Sequence, residues 1–239
     1  SARKAGLDLQ EIAEESLGKL RQRWPQDGDG AGLFPLHSRY DAAYPDGERL
    51  PTTIRVEFRD VLVNGVTKLQ MTCDGRVLGD PLTDNSHVED GYRYHDVFHL
   101  TNATLLGWSP VVRSKSLLYV KRKSNLPLEE VEDGARAAVT EEAISALVFA
   151  HAKDYSFFEG ATSVDYEVLR SIALMTRPFE VRDRSPREWE RAILQGYVVW
   201  RQMIANRGGV FVGDAVAQSV SYEPLPTTPH CTRPESSSD

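Results

Sequence analysis

Hydrophobic and polar positions follow two different periods along this chain. In residues 52–80 they alternate at every second position, and Asn64-Gly65 and Asp74-Gly75 interrupt the alternation. Such alternation is typical of half-buried strands, and these dipeptides favour tight hairpin turns. The pattern predicts a small antiparallel β-sheet inserted at residues 52–80. It also predicts a C-terminal β-hairpin over residues 209–223.

The other apolar positions recur with helical spacing. They predict helices over residues 7–24, 90–108, 135–155, 163–177 and 185–207, with residues 109–124 continuing as a helix or a broken helix. Ser185, Pro186 and Glu188 form a capping-box sequence before the last of these helices. The expected fold class is α+β, mainly an α-helical bundle with a core of residues 7–24 and 90–207. We expect a single domain over residues 1–223 and a flexible tail over residues 224–239.

The composition argues against several classes of protein. The 239-residue chain is 41% hydrophobic and 26% charged, with a formal charge of -7, so no broad basic surface for duplex nucleic acid is expected. Cys73 and Cys231 lie far apart in sequence, which argues against a disulfide framework and favours a reducing compartment. No apolar run approaches the roughly 18 residues that span a bilayer. A soluble, cytoplasmic protein is expected.

Three metal-capable side chains lie within five residues, at His95, Asp96 and His99. Positions three and four apart share one face of a helix, so these side chains form a row with Asn102. A row of this kind suits either a solvated helix face or a set of metal ligands. His95, Asp96 and His99 are therefore candidate metal ligands.

A second candidate group is the acidic pair Glu141 and Glu142, in a helix that is otherwise almost wholly apolar. Such a helix should be buried, and a buried carboxylate needs a partner or a metal ion. Both residues are candidate metal ligands. Glu11 and Glu14, in the first predicted helix, are the competing acidic pair.

A basic run follows the histidine row in this acidic chain. Lys121, Arg122 and Lys123 are its densest part. Cations beside a carboxylate–metal cluster suit a polyphosphate, because the metal bridges phosphate oxygens and the cations neutralise the remaining charge. We expect these three residues to contact substrate phosphates.

Together, "HDVFHLTNATLLGWSPVVRS", the downstream "KRK" and "VTEEAISALVFA" resemble the MazG-like all-α nucleotide pyrophosphohydrolases. The resemblance implies a hydrolase that converts a nucleoside triphosphate and water into the monophosphate and pyrophosphate. It also implies a homo-oligomer, binding of Mg²⁺, and Glu141 or Glu142 as the candidate catalytic base that activates water. The histidines in the row favour Mn²⁺ as the alternative ion. The β insertion is a possible contact surface for a protein partner.

Two departures from the family pattern keep other functions open. Arg93 and Ser145 stand where the family usually has glutamate, which is compatible with a catalytically decayed subunit that senses a nucleotide or binds a partner. The dipeptide His95-Asp96 is also the signature of HD-type metal phosphohydrolases. In that alternative, His87 or His151 and Asp154 would complete the metal site.

Overall fold

The fold is a five-stranded antiparallel sheet with helices packed against it. The computed structural model describes residues 39–114, 117–123, 125–127 and 131–226, together with Gln10 and Glu14. Its strands are β1 (Thr53–Val63), β2 (Val66–Cys73), β3 (Arg76–Leu82), β4 (Gly208–Asp214) and β5 (Ser219–Glu223). Its α-helices are α1 (Asp96–Leu105), α2 (Ala135–Lys153), α3 (Tyr166–Thr176) and α4 (Pro186–Asn206).

Strand β1 lies at the centre of the sheet, in the order β3-β2-β1-β4-β5. Its side chains alternate as the sequence predicts: Ile54, Val56 and Phe58 are buried, whereas Arg55 and Arg59 are exposed. Helices α1 and α4 contact β4 and β5 and pack against each other. One face of the sheet therefore forms the core with the helices.

The sequence-based prediction of mixed α+β structure is confirmed, but the all-α bundle character is not supported. The C-terminal hairpin does not stand apart from the inserted strands, because β4 pairs with β1 from Thr53↔Asp214 to Arg59↔Gly208. Local sequence patterns contain no information on this pairing between distant segments. The two predicted β elements form one sheet, and the helices are arranged on it.

The helix predicted over residues 109–124 is wrong for the part of this segment that the structure describes. Turns and irregular backbone run through residues 109–114 and 117–123. The Arg113 guanidinium donates hydrogen bonds to the carbonyls of Glu48 and Val120 and pairs with the buried Asp41. Side-chain hydrogen bonds to the backbone thus replace part of the hydrogen bonding of a helix.

The last predicted helix is confirmed closely. Helix α4 begins after Ser185, whose hydroxyl accepts a hydrogen bond from the Glu188 backbone N–H, while the Glu188 carboxylate accepts one from Ser185 N–H. The first predicted helix and the tail beyond residue 226 lie outside the described residues, apart from the hydrogen-bonded pair Gln10 and Glu14. Among the helices that are described, none has both the length and the apolar composition required to cross a membrane.

Candidate metal centre

Two neighbouring elements place the histidine row and the acidic pair side by side. Gly91 adopts a left-handed conformation (φ 83°) that starts the short 3₁₀ turn Tyr92–Tyr94, and α1 follows directly. His95 caps α1, and His99 lies one turn further along it. Helix α2 packs beside α1 and carries Glu141 and Glu142 in its second turn.

His95, His99 and Glu142 form a compact group. His99 Nε2 lies 3.3 Å from Glu142 Oε2, and His95 Nε2 lies 3.8 Å from the same oxygen. One ligand atom from each of the three residues lies within 4.8 Å of the ligand atoms of the other two. In a tetrahedral zinc shell with bonds of about 2.0–2.1 Å, neighbouring ligand atoms are roughly 3.3 Å apart. The spacing of the three side chains is therefore compatible with a shared ion.

The second nitrogen of each histidine faces an acceptor outside the cluster. His95 Nδ1 donates a hydrogen bond to the Tyr92 carbonyl at 2.8 Å. His99 Nδ1 lies 3.1 Å from Glu141 Oε1. Metal-binding histidines usually donate their other ring N–H to a carbonyl or a carboxylate, which fixes the tautomer and the ring orientation. This arrangement leaves Nε2 of both rings directed at Glu142.

Glu141 is completely buried and is held by several donors. Its Oε2 accepts hydrogen bonds from the Ser109 hydroxyl at 2.9 Å and the Val111 backbone N–H at 3.0 Å. Its Oε1 accepts one from the Asn102 amide at 3.2 Å. These contacts account for a carboxylate in an otherwise apolar helix. The structure thus gives Glu141 a supporting position behind His99.

His99 is the unusual member of the group, because it is completely buried between two carboxylates. Neither of its ring nitrogens makes a well-aligned hydrogen bond, although both lie at ion-pair distance from a glutamate. The side chain of Glu142 is 47% exposed and that of His95 is 15% exposed. The cluster therefore has a dry inner side and a side that is open to solvent, as a catalytic metal site requires.

Electrostatics reinforce the pairing. Burial by itself would lower the pKa of His99, but Glu141 and Glu142 outweigh it and raise that pKa well above 6.5. Burial would raise the pKa of Glu142, but contact with His99 and the charge of His95 lower it below its usual 4.5. Burial, followed by the charges of Glu142, Asp96 and Asp90, raises the pKa of Tyr92 to about 12. Apart from the two histidines, the charged groups that cause these shifts are carboxylates.

These shifts predict a pH dependence of the metal-free protein. Because the folded pKa of His99 is raised, its stabilising contribution is complete below pH 6.5 and is lost as the pH rises through that pKa. The lowered pKa of Glu142 acts in the opposite direction, so its contribution is lost below pH 4.5. We expect the free energy of unfolding, measured in urea with a chelator, to fall as the pH rises above 6.5. The fall should be shallower in Glu142→Gln, and equal slopes would contradict this account.

Asp96 does not join the three ligand atoms. It is buried, with 6% of its surface exposed, and its charge helps to raise the pKa of Tyr92. The residues of the HD alternative are not brought together either. No metal-capable group found in the described part of the chain contains His87, His151 or Asp154, and His151 stacks on Tyr155.

The predicted phosphate-binding run divides into three environments. Lys121 Nζ donates to the Leu126 carbonyl. The buried Arg122 forms two hydrogen bonds with the carboxylate of Glu180, at 2.9 and 2.8 Å, so its charge is already neutralised. Arg122 and Lys123 both line an open cleft of about 520 Å³ at the N-terminus of α2, but of the two side chains Lys123 is the exposed one.

This cleft is predominantly basic. Its walls include Tyr44 and Phe179, and Arg136 in the first turn of α2 adds a cation to Arg122 and Lys123. Glu132 is the acidic residue of the lining. Helix α2 begins after Gly134 without a side-chain cap. Its first N–H groups therefore lack a side-chain acceptor at the N-cap, and a helix N-terminus favours anions.

Comparison with known proteins identifies the family. Residues 35–226 match the model of the MazG C-terminal domain. The chain belongs to the MazG C-terminal domain family. No curated protein and no solved structure matches it.

The match confirms a MazG-related family, but it does not reach the finer assignment to the all-α pyrophosphohydrolases. A MazG-related domain is consistent with a nucleotide-related function. In this MazG C-terminal domain, the matched range includes the histidine row, the acidic pair of α2 and the basic cleft. The competing pair Glu11 and Glu14 lies outside the matched range.

Sequence reasoning missed two groups in the site. Ser109 has no motif around it that signals a contact with Glu141, because the two residues are 32 positions apart. Arg136 lines the cleft, and no motif in the sequence marks it as a phosphate contact. The uncapped start of α2 at Gly134 was visible in the sequence and is a signal that points to this end of the helix.

Proposed function

We propose that this MazG C-terminal domain is a metal-dependent nucleoside triphosphate pyrophosphohydrolase. The observation that carries the proposal is the convergence of His95, His99 and Glu142 around one position that is open to solvent. The basic cleft supports a phosphate-containing substrate, and the family supports a nucleotide. Each of these features lies in the described part of the chain.

The donor set bears on the choice of ion. Mg²⁺ prefers oxygen ligands, whereas imidazole suits Mn²⁺, Zn²⁺ and other transition metals. Two imidazoles and one carboxylate therefore fit Mn²⁺ or Zn²⁺ better than Mg²⁺. A divalent ion held there would lower the pKa of a bound water and stabilise charge on the phosphate oxygens.

Glu142 and Glu141 have different roles in the proposed reaction. Glu142 is the solvent-exposed carboxylate of the cluster and orients the attacking water. Glu141 holds His99 in place from the buried side. The water oxygen forms a bond to the α-phosphorus, and the bond from that phosphorus to the bridging oxygen breaks. Pyrophosphate leaves with the electron pair, and the protons of the water pass to solvent.

The cleft lies at a suitable distance for the remaining phosphates. Ala135, at the start of α2, lines the cleft, and Glu142 follows it by seven residues. Seven residues are about two helical turns and about 10 Å along the axis. A triphosphate chain bound by the metal cluster would extend toward Lys123 and Arg136. The sequence predicted phosphate contacts for Lys121, Arg122 and Lys123 alike. We propose instead that Lys123 is the main phosphate contact of the three.

The direct test is turnover of a panel of ribo- and deoxyribonucleoside triphosphates with Mg²⁺, Mn²⁺ or Zn²⁺, with the products resolved by anion-exchange chromatography. The expected products are a monophosphate and pyrophosphate, and Glu142→Gln should abolish their formation. Release of inorganic phosphate or of whole triphosphate would overturn the proposed reaction. Thermal stabilisation by nucleotides without turnover would indicate a decayed, nucleotide-sensing subunit.

Lys123→Ala tests the cleft separately. Lys123 would contact substrate phosphates in both the ground state and the transition state, so its loss should raise KM with little change in kcat. A lost charge-assisted hydrogen bond predicts an increase of about tenfold or more. Lys68→Ala, on β2, is the matched control and should leave KM unchanged. An unaltered KM in Lys123→Ala would remove this residue from the substrate site.

A further inference from the structure

Tyr92 makes two separate contacts with the candidate metal ligand His95. Its backbone carbonyl accepts the hydrogen bond from His95 Nδ1. Its ring also stacks on the imidazole, with the ring centroids 4.6 Å apart and an angle of 5° between the planes. The hydrogen bond acts on one edge of the imidazole and the stack acts on one face. Both contacts therefore restrict rotation of the imidazole about its Cβ–Cγ bond.

The Tyr92 ring is itself supported by helix α2. Phe149 lies edge-on to it, with the ring centroids 4.8 Å apart and an angle of 70° between the planes, which is a preferred arrangement of aromatic pairs. Phe149 is buried in the core, whereas Tyr92 is only partly buried. Core side chains are closely packed and have little freedom to shift. Tyr92 therefore lies between a fixed core residue and a candidate ligand.

The backbone around Tyr92 is anchored to two helices. The Tyr92 N–H donates to Asp90 Oδ1 at 3.1 Å, and Lys153, the last residue of α2, pairs with the other oxygen of Asp90. The Gly91 carbonyl accepts a hydrogen bond from Trp200 Nε1 of α4 at 3.1 Å. A β-carbon at Gly91 would lie only 3.0 Å from the Trp200 ring. The turn that carries Tyr92 is thus fixed against α4 and against the helix that carries the acidic pair.

We propose that Tyr92 is a positioning residue of the metal centre, whose ring holds the His95 imidazole so that Nε2 faces Glu142. The torsion about the Cβ–Cγ bond of histidine has two broad preferred states. A half-turn of the imidazole about this bond would place a carbon atom where Nε2 now lies, and the cluster would lose one of its three ligand atoms. The inference rests on the metal-binding part of the proposed function, but it does not depend on the identity of the substrate.

The first test is the affinity for Zn²⁺, measured by isothermal titration calorimetry without nucleotide. Groups that orient metal ligands typically contribute about 10–100-fold to affinity, so Tyr92→Leu should weaken binding at least about tenfold. Tyr92→Phe keeps the ring and should bind as the parent does. The matched control is Tyr155→Leu, because Tyr155 stacks on His151 with the centroids 4.5 Å apart, outside the cluster. This variant should also bind as the parent does.

The second test is made on the metal-free protein. Long-range proton–nitrogen correlation spectra, recorded at a pH at which the imidazole is neutral, should show His95 with its proton on Nδ1 alone. Tyr92→Leu should give a mixture of both tautomers, whereas Tyr92→Phe should keep the single tautomer. A purely structural role of Tyr92 would lower the melting temperature and leave the tautomer unchanged. A mixture of tautomers in the parent would overturn the proposal even if Tyr92→Leu does not fold.

Together the two tests distinguish failure of this inference from failure of the proposed function. If the parent binds Zn²⁺, and Tyr92→Leu keeps both its affinity and its single tautomer, the positioning role is overturned and the metal centre stands. If the parent binds no Zn²⁺, the metal-dependent function is overturned instead. The tautomer in Tyr92→Leu then still decides whether the Tyr92 ring orients His95: a mixture supports this role and a single tautomer overturns it.

Discussion

Replacing Glu142 with glutamine is expected to weaken the binding of Mn²⁺ and Zn²⁺ at least about 100-fold while leaving the fold intact. Even the partners that orient metal ligands typically contribute about 10–100-fold to affinity, and Glu142 Oε2 is the atom that both histidines face. Its side chain is half-exposed, so the amide is accommodated without a buried, unpaired group. The change removes a charge from the cluster without altering its shape.

Isothermal titration calorimetry with each ion would measure the effect. The matched control is Asp154→Asn, which removes a carboxylate at the C-terminal end of the same helix, where Asp154 is exposed. That variant should bind both ions as the parent does. Equal affinity in the parent and in Glu142→Gln would show that the three side chains do not form a metal site.

Replacing the neighbouring Glu141 should instead reduce the stability of the fold. Glu141→Gln is expected to lower the free energy of unfolding by about 3–5 kcal/mol, the usual cost of breaking a buried charge pair. Both oxygens of Glu141 face donors, from Asn102 on one side and from Ser109 and the Val111 backbone on the other. An amide nitrogen would oppose one of these donors, and His99 would lose its fully buried counter-charge.

Urea unfolding of the metal-free protein at pH 6.5 would measure this loss. Glu142→Gln serves as the control in this experiment, because its contact with His99 is partly solvated and should contribute no more than about 1 kcal/mol. The two variants differ by one position and by the same chemical change, so the comparison isolates burial. Similar losses in both variants would mean that Glu141 does not support His99 as described.

The sequence predicted the local elements of this fold better than their arrangement. The strands around Asn64-Gly65 and Asp74-Gly75 and the capping box at Ser185 depend on short-range preferences, and the structure contains them. The pairing of β1 with β4 joins segments about 150 residues apart, for which no local signal exists. The segment after Gly107 was misassigned because its basic and apolar residues mimic helical spacing, whereas Arg113 fixes its backbone through side-chain hydrogen bonds.

In the candidate site, too, the sequence predicted local features but not the contacts that depend on tertiary packing. Helical spacing alone places His95 and His99 on one face, and the apolar context of α2 marks Glu141 and Glu142 as unusual. Which carboxylate faces solvent and which is buried depends on how α2 is rotated against α1, and this follows from tertiary packing. Asp96 shares the face of His99 in sequence but remains outside the cluster, because contact depends on side-chain direction as well as on spacing.

The central position of β1 also has a consequence for synthesis of the chain. Its two neighbours come from opposite sides of the sequence, β2 immediately after it and β4 only after all four described helices. During translation, the edge of β1 that pairs with β4 stays unpaired until residues 208–214 leave the ribosome. At about 5–20 residues per second, this interval is on the order of ten seconds or more. An unpaired strand edge can pair with another chain and so promote aggregation. We therefore expect the nascent chain to bind chaperones during this interval.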